Sequence, residues 1–386
     1  MEKVTIMKRT IFITGATGNI GGKIACEILR DDPAAKLILL VRGRNSLEAE
    51  KRLLKTFGNL YSDMGMAEFT DRIEVLCGDI TSPNLGLSES CLGKLESEIT
   101  HIIHAAAGTK FDQPFETARL TNIEGTKNIT SLARRLYNHG RLRQLAYIST
   151  AYVCDRSRDM IYEDQIPVNP QFSNNYEKSK WEAEQHVRSL MPQLPIAIFR
   201  PSIVIGDSAT GRLNNFNVIY APLRFICRGT LPVLPCSSAS ILDIVPVDYV
   251  AAAICHIMFK THDAHGKIYH ITAGIDNQPT VGEIVSQTVE YINHAHGTAP
   301  IRRPRYVKNS IFHWVSRFLP RKLKKIINVI MIFEPYVLNN LRFDCTNTAA
   351  ALAGSGIYPP KPSQYLGNIL GYWLKATHAV RIRKAA

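Results

Sequence analysis

The residues most able to do chemistry are a tyrosine and a lysine four positions apart, Tyr176-Glu177-Lys178-Ser179-Lys180, followed by Trp181-Glu182-Ala183-Glu184, a good helix-forming run. At i and i+4 on a helix, the phenol and the ammonium share one face. A neighbouring cation favours phenolate, so the pair predicts a tyrosine whose pKa falls from about 10 towards neutrality and that acts as acid or base. Lys180 can also hold a cofactor ribose. Two hydroxyls, Ser149-Thr150, follow a strand-like run and lead into Ala151-Tyr152-Val153. Strand alternation turns one of them into the site and the other away. Thr150 is the favoured one, stabilising with Tyr176 an oxyanion that forms as hydride arrives. No cysteine stands in a comparable motif, so no covalent thioester on the protein is expected.

A catalytic pair of this kind needs a cofactor, and the N-terminal region supplies the place for one. Ile11-Phe12-Ile13-Thr14 reads as a strand running into Gly15-Ala16-Thr17-Gly18-Asn19-Ile20-Gly21-Gly22, with a helix continuing from Lys23 to Arg30. Glycines at 15 and 18 allow a tight turn and close approach to a pyrophosphate, and Gly21 lets the helix pack on the strand. The helix N-terminus adds amide donors and a positive dipole. The expected cofactor contacts are Gly15, Thr17, Gly18, Asn19, Ile20 and Gly21. The second strand ends at Val41-Arg42-Gly43-Arg44, where an NAD enzyme usually carries an acid for the ribose hydroxyls. Arg42 and Arg44 suit a 2′-phosphate instead, so NADPH is expected over NADH.

The elements that must position these groups alternate in βαβ order over about the first 270 residues. Candidate strands are Thr10–Thr14, Leu37–Val41, Ile73–Cys77, His101–His104, Leu145–Ser149, Ile196–Phe199 and Ile268–Ile271. Most are nearly continuous apolar runs, as expected of a parallel sheet covered on both faces. The expected fold is α/β, a Rossmann-type doubly wound parallel sheet with a smaller, mostly helical C-terminal substrate lobe. Residues 1–204, with 243–273 returning to them, form the NADP-binding domain, and 205–242 with 274–386 form the substrate lobe.

Composition narrows the class. The 386 residues are 45% hydrophobic and 20% charged, too apolar for a disordered chain. The longest strongly apolar stretch, Ile326 to Phe333, contains Asn328 and falls well short of the ~20 residues of a membrane-spanning helix. Met1 to Thr10 is short and charged, unlike a secretory signal, so a cytoplasmic protein is expected. The 8 cysteines fall singly, at no zinc-binding spacing, and read as free thiols with no metal site. Against 33 acids stand 46 Lys and Arg, a net charge of +13 that suits anionic partners. Between 301 and 330 lie Arg302, Arg303, Arg305, Lys308, Arg317, Arg321, Lys322, Lys324 and Lys325 with no acid. This stretch reads as a dock for CoA phosphates, an acidic carrier helix or the surface of an anionic membrane, or as a solvated basic face. No nucleic-acid partner is expected.

The chain resembles a known family through TGATGNIGG, LVRGR, GDI, HAAA, TNIEGT, YISTAYV, YEKSK, FRPSIVIG and LDIVPVDYV. The three-and-three glycine spacing and Tyr-x-x-x-Lys are those of short-chain dehydrogenases/reductases. LVRGR, STAYV and DIVPVDYV narrow the likeness to the extended thioester reductase and fatty acyl-CoA reductase (male-sterility) family, over roughly residues 8–275. A fainter echo follows in Phe343-Asp344-Cys345-Thr346-Asn347-Thr348. The resemblance implies NAD(P)H-dependent reduction of acyl thioesters on CoA or an acyl-carrier protein, giving aldehyde or alcohol. It assigns Thr150, Tyr176 and Lys180 to catalysis, and Asp79 with Ile80 to the adenine side. Ala105 and Ala106 fall to the nicotinamide side, with His104 a satisfied core histidine. No adenylation or carrier module accompanies the domain, so the expectation is a thioester taken from solution. The same scaffold also serves epimerases, dehydratases and hydroxysteroid-type dehydrogenases. An NADP-sensing module is disfavoured by the intact Tyr-Lys pair.

Overall fold

In the computed structural model the seven apolar runs become seven parallel strands: β1 (Thr10–Thr14), β2 (Lys36–Val41), β3 (Ile73–Cys77), β4 (His101–His104), β5 (Gln144–Ile148), β6 (Ile196–Pro201) and β7 (Ile268–Ile271). The structure describes residues 9–60, 66–167, 170–216, 219–296, 300–308, 310, 312, 331–332, 334–338 and 340–377. The strands are ordered β7-β6-β5-β4-β1-β2-β3. Because side chains alternate along a strand, each run feeds two cores. Ile11, Ile13, Leu37, Leu39, Ile103 and Phe199 face one, and Phe12, Ile38, Leu40, Ile102, Tyr147 and Ile198 face the other. Fully burying one such side chain stabilises by about 1.5–3 kcal/mol, which is why these strands have no polar face.

Helices α1 (Asn19–Asp31), α2 (Ser46–Leu60), α3 (Glu89–Glu98), α4 (Phe115–Arg119), α5 (Gly125–Asn138), α6 (Asn175–Leu190), α7 (Tyr220–Cys227), α8 (Val247–Lys260) and α9 (Val281–His296) follow in order. A π turn at Leu120–Glu124 joins α4 to α5. Such turns concentrate at functional sites because they re-aim side chains. Here the turn points the buried Asn122 inward.

The later segments are woven into the first ones. Ile203–Ile205 pairs in parallel with Ile244–Pro246, Val233–Leu234 with Arg305–Tyr306, and Met160–Ile161 with Arg342–Phe343. The helix Pro362–Thr377 packs on α9, and Thr346–Leu352 packs on β7 and α8. No described helix is long and apolar enough to cross a membrane. Of the basic stretch 301–330, residues 309, 311 and 313–330 lie outside the described residues. Among those described, Arg303 pairs with Glu290 at 2.6 Å.

Candidate active site

In a doubly wound sheet, ligands bind beyond the C-terminal strand ends where the strand order reverses, here between β1 and β4. A cavity of about 350 Å³ lies there, lined by Gly15, Thr17, Gly18, Asn19, Ile20 and Gly21 on one wall and by Ser149, Thr150, Tyr152 and Tyr176 on another. The glycine loop is as tight as its sequence demands. Gly15 has φ +78°, and a Cβ there would lie 2.6 Å from the backbones of Ala105 and Ala106. A Cβ on Gly21 would lie 2.4 Å from the Gly15 carbonyl oxygen. Gly21 therefore clears the loop itself as well as the neighbouring strand end. Gly18 caps α1 with no side-chain acceptor for the first-turn amides, leaving the positive helix end to the cavity. This is a cradle shaped for a dinucleotide pyrophosphate.

Beyond β2 the structure separates the two expected arginines. Arg42 lines the cavity. Arg44 does not: its side chain is 90% exposed and its Nε donates to Glu48 at 2.8 Å. Arg52, on α2, lines the cavity instead and donates to the Arg42 carbonyl at 3.3 Å. No spacing in the sequence pointed to Arg52, because only the packing of α2 brings it beside β2. Ile80, Ala105 and Ala106 also line the cavity. Asp79 is not among its lining residues; its carboxylate accepts from the amide and hydroxyl of Thr81, both at 2.9 Å.

The wall with Ser149, Thr150 and Tyr176 is built by the end of β5 and by α6. Beyond β5, the Ser149 hydroxyl donates to Glu184 at 2.5 Å. Thr150 lies close enough to the Tyr176 phenol to pull its pKa down. The Asn174 side chain caps α6 through the Glu177 amide at 2.9 Å. Glu177 accepts in return from the Ser173 amide at 2.9 Å, a reciprocal arrangement akin to a capping box. This fixes Tyr176 in the first turn. Asn122 donates to the Ser179 hydroxyl at 2.8 Å and accepts the Gly108 amide at 2.7 Å, tying α6 to the loop after β4. Its role was not evident from its place within TNIEGT.

Lys180 lies buried behind the cavity wall, donating to the Tyr147 hydroxyl at 2.9 Å and the Ile148 carbonyl at 2.7 Å. Burial lowers its pKa to about 7, against the opposing pull of Glu184. Tyr176 departs from the expectation of a lowered pKa. Packing around the phenol and then the Glu177 charge raise it above the ordinary phenol range, while Thr150 opposes them. The Lys180 side chain is engaged by Tyr147 and the end of β5. His104 is a core histidine, held by Thr14 at 2.7 Å and Thr126 at 3.1 Å, its pKa brought to about 3 by burial and then by Lys180.

The remaining wall comes from distant segments. Phe111 stacks on Tyr176 at 5.8 Å and on Tyr336 at 5.7 Å. The Tyr336 hydroxyl donates to Glu177, which Arg156 also holds at 2.6 Å. Asn19 and Asn215 exchange two hydrogen bonds of 2.9 Å, and Asn214 donates to the Thr17 carbonyl at 2.8 Å, folding the 214–215 loop over the glycine turn.

Residues 13–254 match the model of the family described as Male sterility protein. The chain is 30% identical over 288 residues to the nonribosomal peptide synthetase asaC of Aspergillus flavus, covering 70% of this chain and 26% of that protein. A probable fatty acyl-CoA reductase 5 of Arabidopsis thaliana is 23% identical, with 90% of each chain covered. The terminal R domain from the myxalamid PKS-NRPS biosynthetic pathway superposes with a TM-score of 0.82 at 28% identity, over 99% of this chain and 94% of its own. The chain spans about a quarter of the length of the first curated relatives it matches.

Proposed function

This chain belongs to the male sterility protein family of NAD(P)-binding oxidoreductases, and on that premise we propose that it reduces an acyl thioester to the aldehyde with NADPH. The observation that carries the reading is one cavity shared by the glycine cradle and the Thr150–Tyr176 pair. The thioester is carried on CoA or an acyl-carrier protein. A second round through the same groups takes aldehyde to alcohol.

The amides at the start of α1 hold the pyrophosphate, and Arg42 with Arg52 receives the 2′-phosphate. Reduced nicotinamide, when bound, supplies the hydride. Thr150 and Tyr176 donate hydrogen bonds to the thioester carbonyl oxygen, stabilising the charge that develops there. Tyr176, kept neutral by its surroundings, gives its proton to that oxygen and leaves a hemithioacetal. The tyrosinate then takes the hydroxyl proton back as the carbon–sulfur bond breaks. Aldehyde is released, and the thiolate is protonated by solvent.

The test is NADPH consumption with acyl-CoA and acyl-pantetheine substrates, with aldehyde and free thiol measured in step. Tyr176→Phe should lower kcat by about 10²–10⁴-fold and leave NADPH binding unchanged. Turnover of nucleotide sugars but no thioester would overturn the reading. The reading extends to peripheral contact with an anionic membrane through 301–330. Replacing Arg321, Lys322, Lys324 and Lys325 with Gln should abolish sedimentation with anionic vesicles, and no vesicle binding by the unmodified protein would dismiss that contact.

A further inference from the structure

Ile203 lines the candidate active site and also a second, smaller cavity of about 80 Å³. Helix Glu334–Leu338 joins the two as well, with Tyr336 on the first and Val337 on the second. The smaller cavity runs between α7 and α9, against Leu223, Ile226, Leu242 and Ile284. Glu334 is the charged residue among its described lining residues, and it is already engaged by a partner in the fold.

The pocket opens to solvent and its lining surface is apolar, so water is displaced from it favourably when an apolar guest enters. An apolar pocket of this kind is suited to an apolar guest. This one is about half the size of the ~150 Å³ cavity that accommodates benzene, enough for the last few carbons of a chain. An ammonium or amide placed there would lose its water and find few partners.

We propose that this cavity receives the far hydrocarbon end of the substrate's acyl group, so that the enzyme reduces thioesters of aliphatic acids in preference to those of amino acids. The proposal rests on the thioester reading above, and its position follows from that reading: the carbonyl sits at Thr150 and Tyr176, and the chain passes Ile203 and Tyr336 into the apolar space.

The experiment compares NADPH oxidation with pantetheine thioesters of acetate, hexanoate and alanine. The kcat/KM for hexanoyl should exceed that for acetyl and for alanyl by about tenfold or more, the scale on which hydrophobic pockets discriminate methylenes. Filling the cavity with Val337→Phe or Leu223→Phe should remove about tenfold of the hexanoyl kcat/KM while acetyl stays within about twofold. Unchanged NADPH affinity confirms that each variant is folded, and Ile284→Ala should shift the preference to longer chains. Equal kcat/KM for hexanoyl and alanyl would overturn the proposal and leave the thioester reading standing, as would filled variants that slow acetyl and hexanoyl alike. No oxidation with any thioester would overturn the reading itself and the proposal with it.

Discussion

The segment after β5 that carries Thr150 is anchored through Ser149 to a buried ion cluster, and Arg200→Met tests how much depends on it. Arg200 and Glu184 are both essentially inaccessible, with side-chain exposures of 1% and 0%. Arg200 donates to Glu184 at 3.1 and 2.5 Å, Arg188 at 2.9 Å and Ser149 at 2.5 Å. Burial by itself would raise the Glu184 carboxyl, but Arg200, Arg188 and Ser149 together bring it from 4.5 to about 2. At about 1.4 kcal/mol per pH unit, that drop is worth about 3 kcal/mol. A depressed carboxylate pKa means this stability is present above the unfolded value near 4.5 and is lost as pH falls through 2. Arg200→Met should therefore cost about 3–5 kcal/mol at neutral pH, because it leaves a buried charge short of its main partner. The gap to the unmodified protein should shrink by about 2 kcal/mol near pH 3. Adding Glu184→Gln should restore at least about 2 kcal/mol by removing that charge. Urea unfolding at both pH values reads all three, and kcat should fall with the single change because Ser149 and Thr150 share one turn. A loss under about 1 kcal/mol, or an equal gap at both pH values, would refute the reasoning.

Two further outcomes follow from the cavity walls. Arg42→Ala and Arg52→Ala should each weaken NADPH by about tenfold or more and leave NADH unchanged, as lost charge-assisted contacts predict. Arg44→Ala should have little effect, since that side chain is exposed on Glu48; titration calorimetry with both cofactors checks the ranking. Lys180 has a folded pKa of about 7, below its ordinary 10.5, so its burial penalises the native state at pH 7 and below and ceases to do so as pH rises to 10.5. The stability of Lys180→Met relative to the unmodified protein should accordingly fall from pH 7 towards 10, and a pH-independent difference would contradict the burial of a titrating ammonium.

What could be read along the chain was whatever neighbouring residues decide among themselves. The uninterrupted apolar runs of β1 and β2 dictate strands buried on both faces. Gly15, Gly18 and Gly21 dictate a turn that no side chain could enter, and Tyr176 and Lys180 lie on one helix by their spacing. The side to which each group turns was settled by contacts far apart in sequence. Arg44 turns to Glu48 while Arg52 swings to the cavity; Tyr336 arrives from 160 positions after Tyr176; and Asn347 and Thr348, within the faint C-terminal echo, bind Glu163 beneath β7. The protonation of Tyr176 was decided in the same way. Local pairing with Lys180 predicted a lowered pKa, but the folded structure engages that lysine with Tyr147 and packs the phenol beside Glu177. Desolvation depends on everything that packs around a group, so it is determined by the tertiary fold and cannot be read from a motif.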